Sequence, residues 1–344
     1  MKTPFITVEK EKMNKEFIIY NNSYLGPNTI KHVYQDLEIN KPKIALYWCA
    51  MEWELPGTII KEDYDELERV LVENNIQFYL LLGSVKSDTH PMDYIYPKNN
   101  FTILYWPTYF LHIVENELNY DENNISLLYS CLNNVPHYHR CMMMDKLHKA
   151  GLFDYGQLSW NNINNEYSKY TFKSWKQEII QSQDDFPLTN NSFDTAFMKN
   201  DKTLISLTTE STPKVLFHTE KIFKPLSQKK LFISLGDKNQ NLDLKNYGFE
   251  LFEEIFNYGF DEKIEIASRV DGIIDNLILL KNRDYDEIHE QLKPKLNHNR
   301  QRLLDIQMKD TYIPEEILDL VLKYKDEFSI STKDKISSFF NKFL

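Results

Sequence analysis

Short apolar runs rich in aromatic and β-branched residues alternate along this chain with segments of helical period. Four such runs in the first third are each predicted to form a buried strand of a parallel sheet: residues 17–20, 44–48, 78–82 and 102–106. Between the second and third lies KEDYDELERVLVENN, in which Tyr64, Leu67 and Leu71 share one helical face and acidic residues crowd the start. The order strand, helix, strand predicts a βαβ unit.

A second set of runs follows a polar, Asn-rich and acidic segment at 114–126, which is predicted to link two domains. Its members are predicted strands at 127–131, 204–207, 215–217 and 231–235, with helical patterns at 139–149 and 262–280. The sequence therefore predicts an α/β protein of two Rossmann-like, doubly wound domains that face one another across a cleft. In such sheets ligands bind beyond the carboxyl ends of the strands.

The predicted domains are an α/β domain at 1–120, a second α/β domain at 121–300, and C-terminal helices at 301–344. In the last segment, STKDKISSFFNKFL, apolar residues recur at helical spacing and lysines surround them. Such a stripe fits docking on the protein's own surface, and it also fits peripheral contact with a membrane.

Charge and cysteine content narrow the class of protein. The 344 residues carry a formal net charge of −11, which makes nucleic acid an unlikely partner. Three scattered cysteines do not suit a disulfide framework, and neither a signal peptide nor a membrane span is evident. The expectation is a cytoplasmic protein.

The segment PKVLFHTEKIFKPLSQKKLFISLG, residues 213–236, suggests an anion site. Thr219 stands where it would cap a following helix, and Lys221 and Lys224 fall near the start of that helix. Lysines there oppose the helix dipole, but they would converge with the helix amides on a bound diphosphate. The alternative is that both lysines simply extend into water.

Two further residues stand near strand ends. Arg140 follows the predicted strand 127–131 and an Asn-rich turn, where its guanidinium could hold a phosphate or form a salt bridge. Glu210 directly follows the strand at 204–207, where it could accept hydrogen bonds from sugar hydroxyls or lie in water.

The order of these features resembles the donor-binding core of GT-B glycosyltransferases. The similarity lies in Thr209-Glu210, Thr219-Glu220-Lys221, Lys224-Pro225 and the strand at 231–235, and is greatest to the α-1,3-fucosyltransferase-like group and to phage-type glycosyltransferases. The upstream Arg140 and the block YGFELFEEIFNYGFDE also match in order. The usual residues around the acid are altered here, and the family's acceptor-side motif is not found in the first 120 residues.

This resemblance implies transfer of a sugar from a GDP- or UDP-sugar donor to a glycan or other hydroxyl acceptor, with inversion and without a metal or other cofactor. It also implies that the domain at 1–120 is the acceptor-side domain and that the domain at 121–300 binds the nucleotide sugar. By this resemblance, Arg140 and Lys221 would hold the donor diphosphate, and Glu210 and Glu220 would contact donor hydroxyls. Transfer also needs a base for the acceptor hydroxyl, and Glu52, just after the strand at 44–48, is the candidate.

Several alternatives remain open from the residues alone. His137 and His139 are interpreted as incidental members of a turn, because the nine histidines show no spacing typical of a metal site. A related activity would be glycosylation of DNA bases, which the net charge disfavours. A different class would be a non-catalytic interaction protein that retains a degenerate transferase fold.

Overall fold

A computed structural model of the protein describes residues 9–12, 17–22, 27–49, 61–86, 99–107, 125–133, 137–160, 202–306, 312 and 314–324. The chain divides into two compact units. The first unit combines Met1–Thr108 with Tyr312–Leu344, and the second is Tyr109–Thr311.

The first unit contains a five-stranded sheet whose strands follow one another in chain order. Strand β1 pairs antiparallel with β2, and the pairs from β2 to β5 are parallel. The strands are β1 (Glu9–Lys12), β2 (Phe17–Asn22), β3 (Ile44–Cys49), β4 (Gln77–Leu82) and β5 (Phe101–Tyr105).

Two helices, α1 (Pro27–Asn40) and α2 (Lys61–Glu73), pack on each other in this unit. The helical face predicted from Tyr64, Leu67 and Leu71 is buried. It joins one apolar core with side chains from β2, β3 and β4, and this burial stabilises the βαβ arrangement.

The second unit contains a four-stranded, wholly parallel sheet in which the strand order reverses. Its order is β7-β6-β8-β9, so the chain moves outward from β6 to β7 and then returns to the other side of β6. The strands are β6 (Leu127–Asn133), β7 (Gly156–Trp160), β8 (Thr203–Thr209) and β9 (Leu231–Leu235). The adjacent pair β6 and β8 therefore marks a topological switch point.

Among the described residues of this unit, four helices accompany the sheet: α3 (Tyr138–Lys149), α4 (Glu220–Ser227), α5 (Ile266–Leu280) and α6 (Tyr285–Asp305). Helix α3 packs on α5, and α4 packs on α6. Because the crossovers β6-α3-β7 and β8-α4-β9 run in opposite directions along the sheet, the usual right-handed connection would place α3 and α4 on opposite faces. Short 3-10 helices lie at Phe153–Tyr155, Leu242–Tyr247 and Tyr258–Phe260, and α7 (Glu315–Tyr324) belongs to the first unit.

The α/β class and the two Rossmann-like units are confirmed, but among the described strands only the second sheet shows the reversal of a doubly wound sheet. One predicted strand, at 215–217, is wrong: these apolar residues are buried, but they lie in irregular backbone leading to α4. Strand β9 already pairs with β8, which leaves no place for a strand between them.

Strand β7 was not expected from the sequence. It begins with Gly156, which pairs with Tyr129, and a Cβ at that glycine would approach the tyrosine ring to 2.3 Å. A strand that requires glycine at its start lacks the usual β-branched pattern.

The predicted cleft between the domains stays a prediction. Helix α6 crosses the boundary predicted at residue 300, and α7 groups with the first unit, so the described part of 301–344 does not form a separate body. Most of the predicted linker at 114–126 and the whole stripe at 331–344 lie outside the described residues. In the part of the chain that is described, no helix is both long and apolar enough to cross a membrane.

Candidate functional site at the carboxyl edge of the second sheet

The carboxyl ends of β6 and β8 meet in a polar, buried arrangement. The Thr209 hydroxyl donates a 2.6 Å hydrogen bond to Asn133 Oδ1. The backbone amide of Glu210 continues the pairing to β9 by donating to the Leu235 carbonyl at 2.9 Å. Because the switch point lies between β6 and β8, these residues stand where open α/β sheets bind ligands.

Helix α3 brings two consecutive residues of its first turn to this edge. His139 Nε2 lies 2.7 Å from the Glu210 carbonyl oxygen, and Arg140 Nη2 donates to the Thr209 carbonyl at 3.2 Å. Both side chains are buried, at 2% and 5% exposure. Two neighbouring side chains of α3 therefore bind two neighbouring carbonyls at the end of β8.

Helix α4 begins at the same edge, with Thr219 as its cap. The Thr219 hydroxyl accepts from the Lys221 amide at 3.3 Å and donates to Glu210 Oε2 at 2.8 Å. A hydroxyl can do both at once because it carries a proton and two lone pairs. This cap joins the start of α4 to the acid that follows β8.

The Lys221 ammonium lies within reach of three acceptors. Its Nζ is 3.3 Å from the Thr219 hydroxyl, 3.4 Å from the Ser211 hydroxyl and 3.7 Å from Glu210 Oε2. The side chain is 22% exposed, whereas the Glu210 carboxylate is 2% exposed. We call the group of Asn133, His139, Arg140, Thr209, Glu210, Thr219 and Lys221 the switch-point cluster.

The electrostatics of the cluster suit an anion. Two cations, Arg140 and Lys221, and the positive end of the α4 dipole oppose the single carboxylate of Glu210. Burial lowers the pKa of His139 to about 3, so its ring is neutral and adds no charge. Lys221 is the partly exposed cation of the cluster, and Arg140 is the buried one.

Hydrogen bonds between buried groups fix the loops around the cluster. His218, directly before the cap, lies with its Nε2 2.8 Å from Asp243 Oδ2. The Asp261 carboxylate accepts from the backbone amides of Asn241 and Leu242 and from the Asn241 side chain, at 2.7, 2.8 and 2.8 Å. Burial raises the pKa of Asp261 to about 6, although these donors oppose the rise.

Four residues that the sequence singled out come together: Arg140, Glu210, Thr219 and Lys221 all meet at the end of β8. Lys224 lies one turn further along α4 and is 3% exposed, so its predicted contact with an anion stays a prediction. The side chain of Glu220 and all of Glu52 lie outside the described residues, and their predicted roles also stay predictions.

The spacing of the histidines indicates no metal site, but the sequence also does not predict the contact made by His139. His139 belongs to α3, stacks on His137 with ring centroids 5.9 Å apart, and binds a carbonyl 71 positions away in sequence. The pattern YHR directly after a predicted strand end was the available signal. Asn133 was also missed, although its position at the end of β6 could have indicated it.

Other features of the second unit are distinct from this edge. An open cavity of about 580 Å³ lies beside the 3-10 helix Tyr258–Phe260 and is lined by acidic and apolar side chains, among them Glu253, Glu262 and Leu279. Across the ranges that the structure describes, no three His, Cys, Asp or Glu side chains gather as metal ligands would. The prediction of a metal-independent reaction is not tested by this.

Comparison with known proteins gives one distant likeness. A scan against protein-family models finds no match, and a search of curated protein sequences finds none either. A solved structure of the DNA-modifying enzyme β-glucosyltransferase, determined in the presence and absence of its substrate uridine diphosphoglucose, is similar with a TM-score of 0.44. The identity is 14%, over 90% of this chain and 81% of that one. At this distance the likeness does not transfer an activity, and the resemblance to fucosyltransferases stays a prediction.

Proposed function

We propose that the protein is a glycosyltransferase that moves a sugar from a nucleotide-sugar donor to a hydroxyl acceptor. One observation carries the proposal. Arg140 and Lys221, which come from two different helices, converge on the consecutive residues Thr209 and Glu210 at the carboxyl edge of the sheet. This edge lies at the point of strand reversal, the position at which doubly wound sheets bind nucleotides.

The chemistry of sugar transfer fits these groups. As the glycosidic bond to the donor breaks, negative charge grows on the departing diphosphate. Fixed cations and a helix amino terminus can neutralise that charge, as a bound metal does in other enzymes. Arg140 and Lys221 would hold the diphosphate, and each such preorganised group contributes roughly 3–4 kcal/mol to transition-state stabilisation.

The finer assignments follow the sequence analysis. The donor is a GDP- or UDP-sugar, the acceptor is a glycan or another small hydroxyl compound, and transfer inverts the anomeric configuration. Glu52 is the proposed base. Duplex DNA is the alternative acceptor, which the net charge of −11 disfavours.

The direct test is a thermal-shift panel of UDP-, GDP-, CMP- and dTDP-sugars. One nucleotide should raise the melting temperature, because a ligand that binds the folded state stabilises it by mass action. Lys221→Met should greatly reduce that shift, measured against the melting temperature of the same variant without ligand. Lys293→Met removes a lysine of α6 that pairs with Glu290, and it is the matched control.

The outcomes separate the candidate classes. A shift retained in Lys221→Met would remove the proposed donor site. A protein that responds to no nucleotide would be better described as the non-catalytic alternative. Transfer of sugar to duplex DNA, or retention on DNA at moderate salt, would favour the DNA-modifying activity.

The proposed base has a separate test. Glu52→Gln should lower kcat about 10²- to 10⁴-fold, because a general base of this kind supplies that factor. Nucleotide affinity should stay unchanged, since Glu52 is assigned to the acceptor. Equal loss of binding and turnover would contradict the assignment.

A further inference from the structure

The His139 ring has one defined role in the structure. Its Nε2 faces the Glu210 carbonyl oxygen at 2.7 Å, and a carbonyl only accepts, so the ring must donate. Burial keeps the ring neutral, with one N–H available. The ring therefore donates its single N–H to the backbone carbonyl of Glu210.

The Glu210 carboxylate faces the protein interior and its neighbours on α4. Its Oε2 accepts from the Thr219 hydroxyl at 2.8 Å and lies 3.7 Å from the Lys221 ammonium. Only 1% of the residue is exposed. From this position the carboxylate reaches Lys221 more readily than it reaches the hydroxyls of an incoming sugar.

Lys221 has a long, flexible side chain, and three neighbouring groups restrict its movement. Thr219, Ser211 and Glu210 hold its ammonium at distances of 3.3, 3.4 and 3.7 Å. Ordering such a side chain on ligand binding costs rotamer entropy, and prior ordering by neighbours removes part of that cost.

We propose that His139 and Glu210 are positioning residues of the switch-point cluster. His139 fixes the main chain of Glu210, and the Glu210 carboxylate fixes the ammonium of Lys221 at the anion site. The inference rests on the proposed function for the identity of the anion, and it replaces the expected contact of Glu210 with donor hydroxyls. Under this assignment neither residue touches the donor.

The first experiment measures the rate at which an amine reagent labels Lys221, residue by residue, by mass spectrometry. An amine held by a carboxylate and two hydroxyls presents its nitrogen to a reagent less readily than an amine released to solvent. Glu210→Gln keeps the shape of the side chain and removes its charge, so Lys221 should react about three- to tenfold faster. Lys293, far along α6, provides an internal reference whose rate should not change.

His139 is tested by a matched pair. His139→Phe keeps a ring but removes the donor, and Lys221 should again label faster. His139→Gln places an amide N–H close to the position of Nε2 and should restore the slow rate. A general packing defect would not distinguish these two variants, and circular dichroism confirms that each is folded.

The second experiment is a double-mutant cycle of nucleotide affinity with Glu210→Gln and Lys221→Met. If Glu210 acts through Lys221, Glu210→Gln should weaken binding about tenfold in the native background and less than about twofold beside Lys221→Met. If the losses of nucleotide affinity in the two single variants simply add in the double variant, Glu210 contacts the donor directly. That result would overturn the proposal.

The two experiments separate this inference from the proposed function. Faster labelling in a protein that binds no nucleotide would support the positioning of Lys221 and reject the transferase. Unchanged labelling in both Glu210→Gln and His139→Phe would overturn the positioning role, whatever the protein binds.

Discussion

The two units are built from the same α/β parts but differ in the order of their strands. In the first unit the described strands run in chain order, from β1 to β5. In the second the order reverses between β6 and β8, so the turns after these strands diverge to opposite faces. The switch-point cluster lies at the carboxyl edge where this reversal occurs.

The two units also differ in the polar side chains that they bury. The described residues of the first unit have few of them, such as Thr29, Asp63 and Ser84. The second unit buries a histidine, an arginine and a glutamate at one strand end. Burying such groups costs free energy unless they are hydrogen-bonded, which indicates that the second unit is organised around a site as well as a core.

The largest expected effect on stability comes from replacing one arginine of each unit by alanine and comparing the two losses. Arg140→Ala removes a buried side chain that binds the Thr209 carbonyl, and should lower the free energy of unfolding by about 3–5 kcal/mol in urea titrations. Arg69, which pairs with Glu38, Glu66 and Glu73 on the surface of the first unit, should tolerate the same change with little loss. Equal losses would remove the contrast between the units.

A second prediction concerns the pH dependence of stability. Burial raises the pKa of Asp261 from 3.8 to about 6 in the folded protein, so folding favours its protonated form. The associated stability is present below pH 4 and is lost as the pH rises through 6, by up to about 3 kcal/mol. Asp261→Asn cannot ionise, and should gain stability relative to the native protein between pH 4 and 7.

Urea titrations of both proteins at several pH values measure this difference. Parallel profiles for the native protein and Asp261→Asn would show that Asp261 does not titrate in this range. The three donors around the carboxylate would then outweigh its burial.

The smallest effect compares two helix caps within the second unit. Thr219 caps α4 at the switch-point cluster, and Asp284 caps α6 by accepting from the Glu287 amide at 3.0 Å. Replacement of either by alanine should cost about 1 kcal/mol in urea titrations. Thr219→Ala should also weaken nucleotide binding, whereas Asp284→Ala should not. A loss of binding in both would point to general destabilisation.

Much of the fold could be predicted from the sequence because buried parallel strands form continuous apolar runs. Strand β9 matches its prediction at both ends, and β3, β4 and β6 differ by one or two residues at an end. A doubly wound sheet was predicted, but the position of its reversal, between β6 and β8, could not be predicted in the same way. It depends on where β7 pairs, and β7 begins with a glycine that the Tyr129 ring requires.

The grouping of Arg140 and Glu210 was predictable because both follow strand ends, whereas the prediction for Lys221 relied on a strand at 215–217 that does not form. The site was not predictable where a side chain acts through a distant backbone group. The contact between His139 and the Glu210 carbonyl spans 71 positions, and the contact between Asn241 and Asp261 joins two loops. Local sequence patterns hold no information on such pairs.

Hydrogen–deuterium exchange, with and without the nucleotide that stabilises the protein, tests the central claim most directly. If the switch-point cluster is the donor site, protection should increase at residues 209–211 and in the first turns of α3 and α4. Protection confined to the first unit, or to the cavity beside Tyr258–Phe260, would contradict the account.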